Sequence, residues 1–183
     1  MCIRDSTKAG IHIFGGAAGG GGDRKSEIFA VLTPLGAVLP ASGAPAQTKV
    51  AGTNFVYYAL DFDAATDEIC YYQFKLPPTY VVGSSIVVVV HWISTATAGA
   101  VVWAAQFLGR TTGEAYDATL SAVGTATTNA PATAGQVATS EITFNSPDIQ
   151  ANDIVIIKIY RDADHANDTM AADARMIMAG VKL

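Results

Sequence analysis

The oxygen-bearing side chains Asp162, Asp164, Asn167, Asp168 and Asp173 crowd into one short stretch of the sequence. Such a loop can bind calcium when its oxygens converge, and Asp162, Asp164 and Asp168 are the candidate ligands. The EF-hand spacing is absent: Ala166 takes the fifth position from Asp162, no glycine stands at the sixth, and no terminal glutamate closes the loop. Asx side chains bonding to nearby backbone explain the same residues as a turn between two strands. No metal is therefore expected.

Other chemistries find less support. Nucleophilic hydrolysis needs a Ser or Cys beside an oriented base, and only His12, His91 and His165 could supply an imidazole. His91 lies inside an aliphatic run next to Trp92, which suits a hydrogen-bonded core or interface histidine. No G-x-S-x-G elbow occurs. The run GGGGDRKS ending at Ser26 has Arg24 where a phosphate loop requires glycine. Of the acids Glu114, Asp117 and Glu141, only the first two are neighbours, so a glycosidase pair is not expected. Cys2 and Cys70 form no CxxC or zinc spacing, and Cys70 reads as a small buried hydrophobe. The chain is expected to be no enzyme and to carry no catalytic residue and no cofactor. A sugar-stacking platform is a different matter. Trp92 and Trp103 sit within strands and point to core packing, which leaves Tyr57, Tyr58, Tyr71, Tyr72 and Tyr80 as candidates for a ligand or partner surface.

The elements that position these residues read as β-structure. Runs rich in Val, Ile, Tyr, Phe and Trp, separated by Gly, Pro, Asn and Ser clusters, predict about eight strands. They cover 27–32, 54–62, 67–76, 85–95, 100–108, 136–144, 153–161 and 174–182. No segment keeps a helical apolar period over a dozen residues, although 163–173 could hold one short turn of helix. The fold class expected is all-β, a jelly-roll-like antiparallel β-sandwich. In 153–161, Val155, Ile157 and Ile159 alternate with Lys158 and Tyr160, as in a sheet with one wet face. The run 86–93 breaks that pattern, being apolar on both faces, and no charged residue occurs between Leu76 and Gly109. Both faces must be covered, either by the chain's own residues 27–53 or, the favoured expectation, by a neighbouring subunit, with Val87, Val88, Val89, His91, Tyr71 and Tyr72 as interface residues.

Composition bounds the rest. With 183 residues, 50 % of them hydrophobic and 15 % charged, the chain has ample core for one domain. Sixteen acids against eleven bases, a net charge of −5, argue against a phosphate-neutralising face, so no nucleic-acid partner is expected. The longest wholly aliphatic run is 86–90, so no membrane insertion is expected. Residues 1–26 read as a flexible glycine-rich arm and 27–183 as the sandwich domain. The opening MCIRDS resembles a translated sequencing-adapter remnant, which suggests that the natural gene continues upstream.

The order of these features resembles a known family. A D-x-A-x-x-E turn (Asp63, Ala65, Glu68) leads into an aromatic strand and then an LP-x-x-Y step (Leu76, Pro77, Tyr80). An aliphatic strand ending in Trp92 and a G-x-V-x-W strand (Gly99, Val101, Trp103) follow, and an Arg161–Asp162 loop precedes the last strand. This order, over about 120 residues, is similar to the jelly-roll modules of tailed-bacteriophage virion proteins. The resemblance implies a non-enzymatic structural protein located in the virion, as capsid decoration or the head of a tail fibre or spike. It also implies a homotrimer, with other virion proteins and a host-surface glycan as partners. The alternative from the residues themselves is a carbohydrate-binding or adhesin-like β-sandwich module.

Overall fold

The structure, a computed structural model, describes residues 28–145 and 147–183. Ten strands follow one another: β1 (Ile28–Leu32), β2 (Ala46–Ala51), β3 (Val56–Phe62), β4 (Glu68–Lys75), β5 (Ile86–Ile93), β6 (Ala100–Arg110), β7 (Gly124–Asn129), β8 (Ala138–Phe144), β9 (Ile154–Arg161) and β10 (Ala174–Lys182). A 3-10 turn at Pro34–Gly36 is the one helical element among the described residues. One sheet runs β2-β3-β10-β5-β8, with β1 paired to the far half of β10, and the other runs β4-β9-β6-β7. Every pairing is antiparallel. From β3 onward the chain crosses between sheets at each step except β6 to β7, so β3-β10-β5-β8 faces β4-β9-β6-β7. That is the strand order of a jelly roll.

Alternation explains the core. In β5, Ile86, Val88, Val90 and Trp92 point inward, and in β9 Val155, Ile157 and Ile159 do the same. They meet Phe62, Trp103 and Ile142 between the sheets. Phe62 packs edge-on against Trp103, with ring centroids 4.9 Å apart, and Phe107 packs the same way against Phe144. The Trp92 indole N–H donates to Ser140 Oγ at 3.0 Å, and Ser140 in turn donates to Thr128 at 2.8 Å. Both tryptophans are core residues, as their positions within strands suggest.

Three expectations are corrected. The described residues form ten strands where about eight were expected, the additional two being β2 (AQTKVA) and β7 (GTATTN). Each is an edge strand with few large apolar side chains, which is why its pattern is faint. Residues 163–173 form turns and bends and no helix. The interface set is also revised. Val88 and Tyr72 lie in the intramolecular core and have no surface to offer a partner.

Val89 does point outward but is only 1 % exposed. It sits between Gly180 and Glu141 in the sheet, and Lys182 Nζ donates to Glu141 across β5 at 2.5 Å. That ion pair bridges over β5, and the Ile28 side chain of β1 lies over Gly180 beside Val89, so the cover comes from within the chain. Val87, His91 and Tyr71 are half-buried on outer faces.

Candidate functional site

The outer face of the six-stranded sheet carries a groove that begins with strand register. Leu60 and Phe62 point into the core, so Tyr57, Ala59 and Asp61 on the same strand point out. Asp61 lies opposite Arg175 of β10, and Arg175 lies opposite Ile93 of β5, so the three residues form a row across the sheet. A β-bulge between Met176 and Met178 adds Ile177 beside that row.

The polar end, about 330 Å³, is lined by Tyr57, Asp61, Ile93, Ser94, Thr95, Gly135, Asp173 and Arg175. An apolar end of about 290 Å³ adjoins it and adds Phe55, Tyr58, Val137 and Ile177. Tyr57, Ile93 and Gly135 belong to both, so the groove is continuous. Its aromatic wall is the Phe55–Tyr57 pair, with centroids 5.6 Å apart and planes tilted by 49°. Phe55 is 68 % exposed, far more than a core ring would be.

Three local devices hold the groove in shape. Arg175 donates from Nε to Asp61 Oδ1 at 2.5 Å and from Nη2 to Oδ2 at 3.1 Å, a bidentate pair. The Asp61 carboxylate pushes the Arg175 guanidinium above its ordinary range, aided by a hydrogen bond with Tyr57. Thr48 also donates to Asp61 Oδ2 at 2.9 Å. Ser94, buried at the end of β5, donates through Oγ to the Asp173 carbonyl at 3.0 Å and accepts from the Ala96 N–H at 3.2 Å. The Gly135 N–H donates to the Ser94 carbonyl at 2.8 Å, with Gly135 at a φ of 77° that disfavours other residues. Three loops are thereby tied to one another at the groove's polar end.

The candidates from the sequence are dispersed differently. Tyr57 and Tyr58 line the groove. Tyr80 is buried, with its hydroxyl donating to the Ser84 carbonyl at 2.8 Å, so Tyr72 and Tyr80 offer no ligand surface. His91 is held by a 3.0 Å hydrogen bond between Nδ1 and Thr139 Oγ1, and burial together with the Lys182 ammonium pushes it below the usual imidazole range. His165 Nδ1 accepts from the Asn167 N–H at 3.0 Å. Glu114 closes a turn with Thr111 and Arg110, while Glu141 pairs with Lys182. Neither acid lines the groove. Cys70 is buried, and burial pushes its thiol well up. Cys2, His12 and the GGGGDRKS segment lie outside the described residues.

The acidic loop is regrouped by the fold. Asp162 and Asp164 meet Asp67 of the loop between β3 and β4, with ligand oxygens within 4.8 Å of one another. Carboxylates so placed are the donor type for a hard cation. Partial burial, and then the charge of Asp67, push Asp162 above the ordinary carboxylate range. Asp168 is not available to join them. It is buried in a bidentate pair with Arg161, accepting from Nη2 at 2.7 Å and Nε at 2.9 Å, and it also accepts from the Val102 N–H at 3.0 Å.

The sequence reading missed Asp61, Arg175, Ser94 and Gly135. A signal for the first two exists: Asp61 is the lone charge of β3, and Arg175, of opposite sign, stands alone at the start of the apolar run that fills β10 as far as Val181. That pattern suits a cross-strand pair on a sheet's outer face.

No family model matches the sequence, and no curated protein matches it. Among solved structures, the chain is similar to two xylan-binding domains of Xyn10C from Paenibacillus barcinonensis. For CBM22-2 the identity is 11 % and the TM-score 0.45, over 80 % of this chain and 91 % of that one. For CBM22-1 the identity is 7 % and the TM-score 0.45, over 86 % and 94 %. An exo-beta-1,3-galactanase from Phanerochaete chrysosporium is similar at 10 % identity and a TM-score of 0.37, over 79 % of this chain and 28 % of that one.

Proposed function

We propose that the chain is a carbohydrate-binding module whose site is the groove on the outer face of the six-stranded sheet. The observation that carries this reading is the junction of an aromatic pair, exposed Phe55 and half-buried Tyr57, with a polar end formed by Asp61, Arg175 and Asp173. A sugar ring has an apolar C–H face and a rim of hydroxyls. The aromatic wall suits the first and the polar end suits the second. Binding suits the geometry better than hydrolysis. Asp61 is engaged by Arg175 and Thr48, which leaves Asp173 as the groove carboxylate outside an ion pair among the described residues, whereas glycoside hydrolysis uses two free carboxyl groups.

The test is affinity electrophoresis of the full chain through gels containing soluble polysaccharides. Retardation by at least one polysaccharide is expected, and Tyr57→Ala should weaken it roughly tenfold, about the value of one stacking contact. Free migration through every gel of a panel of glucans, mannans, xylans and galactans would refute the reading.

A second reading, a virion structural protein that assembles with copies of itself, is favoured by one specific feature. Phe29, Val31, Leu35 and Val38 are exposed apolar residues around β1 and the turn that follows it. Phe29 packs edge-on against Phe74, and Val38 bridges to Tyr71, so this strip borders β4. Such a strip suits a subunit contact. Sedimentation equilibrium tests it: trimers that dissociate on Val38→Asp would support assembly, and a monomer at all concentrations would end it.

A further inference from the structure

We propose that the groove accepts neutral sugar chains and rejects acidic ones, an inference that rests on the carbohydrate-binding reading above. Two carboxylates, Asp61 and Asp173, line its polar end against a single cation, Arg175. That cation is already committed to Asp61 through two hydrogen bonds. No lysine lines either part of the groove; Lys49, opposite Tyr58 in the neighbouring strand, does not line it.

The surroundings reinforce the sign. Glu68, at the start of β4, is within electrostatic reach of the polar end: burial, and then the charges of Asp63, Asp173 and Asp61, push its carboxyl up. The Asp67, Asp162 and Asp164 group sits on loops at this same end of the sandwich. A uronate or sulfate group entering here would meet like charge with no unpaired guanidinium to receive it. A neutral sugar meets the opposite situation. Its hydroxyls donate, and the exposed Asp173 carboxylate offers two acceptor oxygens to adjacent donors.

The experiment is titration calorimetry of the full chain with hexameric gluco-, manno- and xylo-oligosaccharides against oligogalacturonate and alginate oligomers of equal length. At about 20 mM NaCl the best neutral chain should bind at least roughly tenfold more tightly than either acidic one, and the gap should narrow at about 300 mM as screening grows. Asp173→Asn should narrow the gap at low salt by about fivefold, because it removes one repelling charge and keeps the polar outline. Acidic chains that bind as well as neutral ones would overturn the selectivity while leaving the groove as a sugar site. A gap that neither salt nor Asp173→Asn alters would do the same. If no chain binds, or if Tyr57→Ala leaves neutral binding unchanged, the carbohydrate reading of the groove falls, and the selectivity with it.

Discussion

Replacing Arg161 with methionine tests how the loop between β9 and β10 is held. Alternation along β9 turns Arg161 to the core side, where its side chain is fully buried. Its guanidinium donates to both oxygens of Asp168, to the Ala172 carbonyl at 2.8 Å and to the Met170 carbonyl at 2.6 Å. Methionine keeps most of the stem's volume but none of the donors. The Asp168 side chain, 1 % exposed, would then hold an uncompensated charge next to two orphaned carbonyls. Breaking a buried pair from one side costs about 3–5 kcal/mol. For a chain of this size that lowers Tm by roughly 6–20 °C.

Urea titration followed by tryptophan fluorescence reads the loss directly, because Trp92 and Trp103 both lie in the core. The midpoint should fall with the slope unchanged. The double variant Arg161→Met, Asp168→Leu should recover about 2 kcal/mol of the loss, since it removes the stranded charge and leaves only neutral groups unpaired. A single variant within about 1 kcal/mol of wild type, or a double variant no better than the single, would refute the reasoning.

The strands with large alternating side chains were legible for a physical reason. Val155, Ile157 and Ile159 each carry enough apolar area to mark the buried face without help from neighbours. The edge strands β2 and β7 have small or polar side chains and owe their conformation to ladder hydrogen bonds with β3 and β6, which no local pattern reports. The site was legible in part. Tyr57 announces itself as an aromatic on the far side from Leu60, but its partners come from β10 and from the loops after β5 and before β8. Closeness across a sheet depends on register, and register is settled by the whole sandwich. The acidic loop shows the same limit. Proximity in sequence grouped Asp168 with Asp162, whereas the fold turns Asp168 inward to Arg161 and supplies Asp67 from another loop. The doubly apolar β5 led to the expectation of a covering subunit, whereas Val89 is already buried within the chain, flanked by Gly180 under Ile28 and by Glu141, which pairs with Lys182 across the strand.

Further perturbations separate these layers. Gly99→Ala should destabilise the fold by about 2 kcal/mol or more in thermal melts, because φ is 89° there and a Cβ would lie 2.7 Å from Met170 Cα. Val88→Asp should yield no folded protein, while Val87→Asp, one residue away on the outer face and opposite Lys182, should stay folded by circular dichroism. Asp162→Asn should stabilise the chain in the presence of a chelator. In the fold, Asp162 takes up its proton more readily than an ordinary aspartate, since burial and Asp67 disfavour its charge. The folded state thus binds more protons than the unfolded one just above the ordinary aspartate range, and stability falls as pH rises through that window. Removing the carboxylate removes that loss, so the variant should gain at pH 7 and match wild type once the pH is below the unfolded value. The gain should be about a few tenths of a kcal/mol, kept small because water screens a partly exposed group. Excess calcium should leave that gain in place if the cluster is only mutual repulsion, and reverse it if the three carboxylates hold the ion. A variant less stable than wild type at pH 7 with chelator present would show that the Asp162 carboxylate supports the loop, contrary to the repulsion argued from its neighbours.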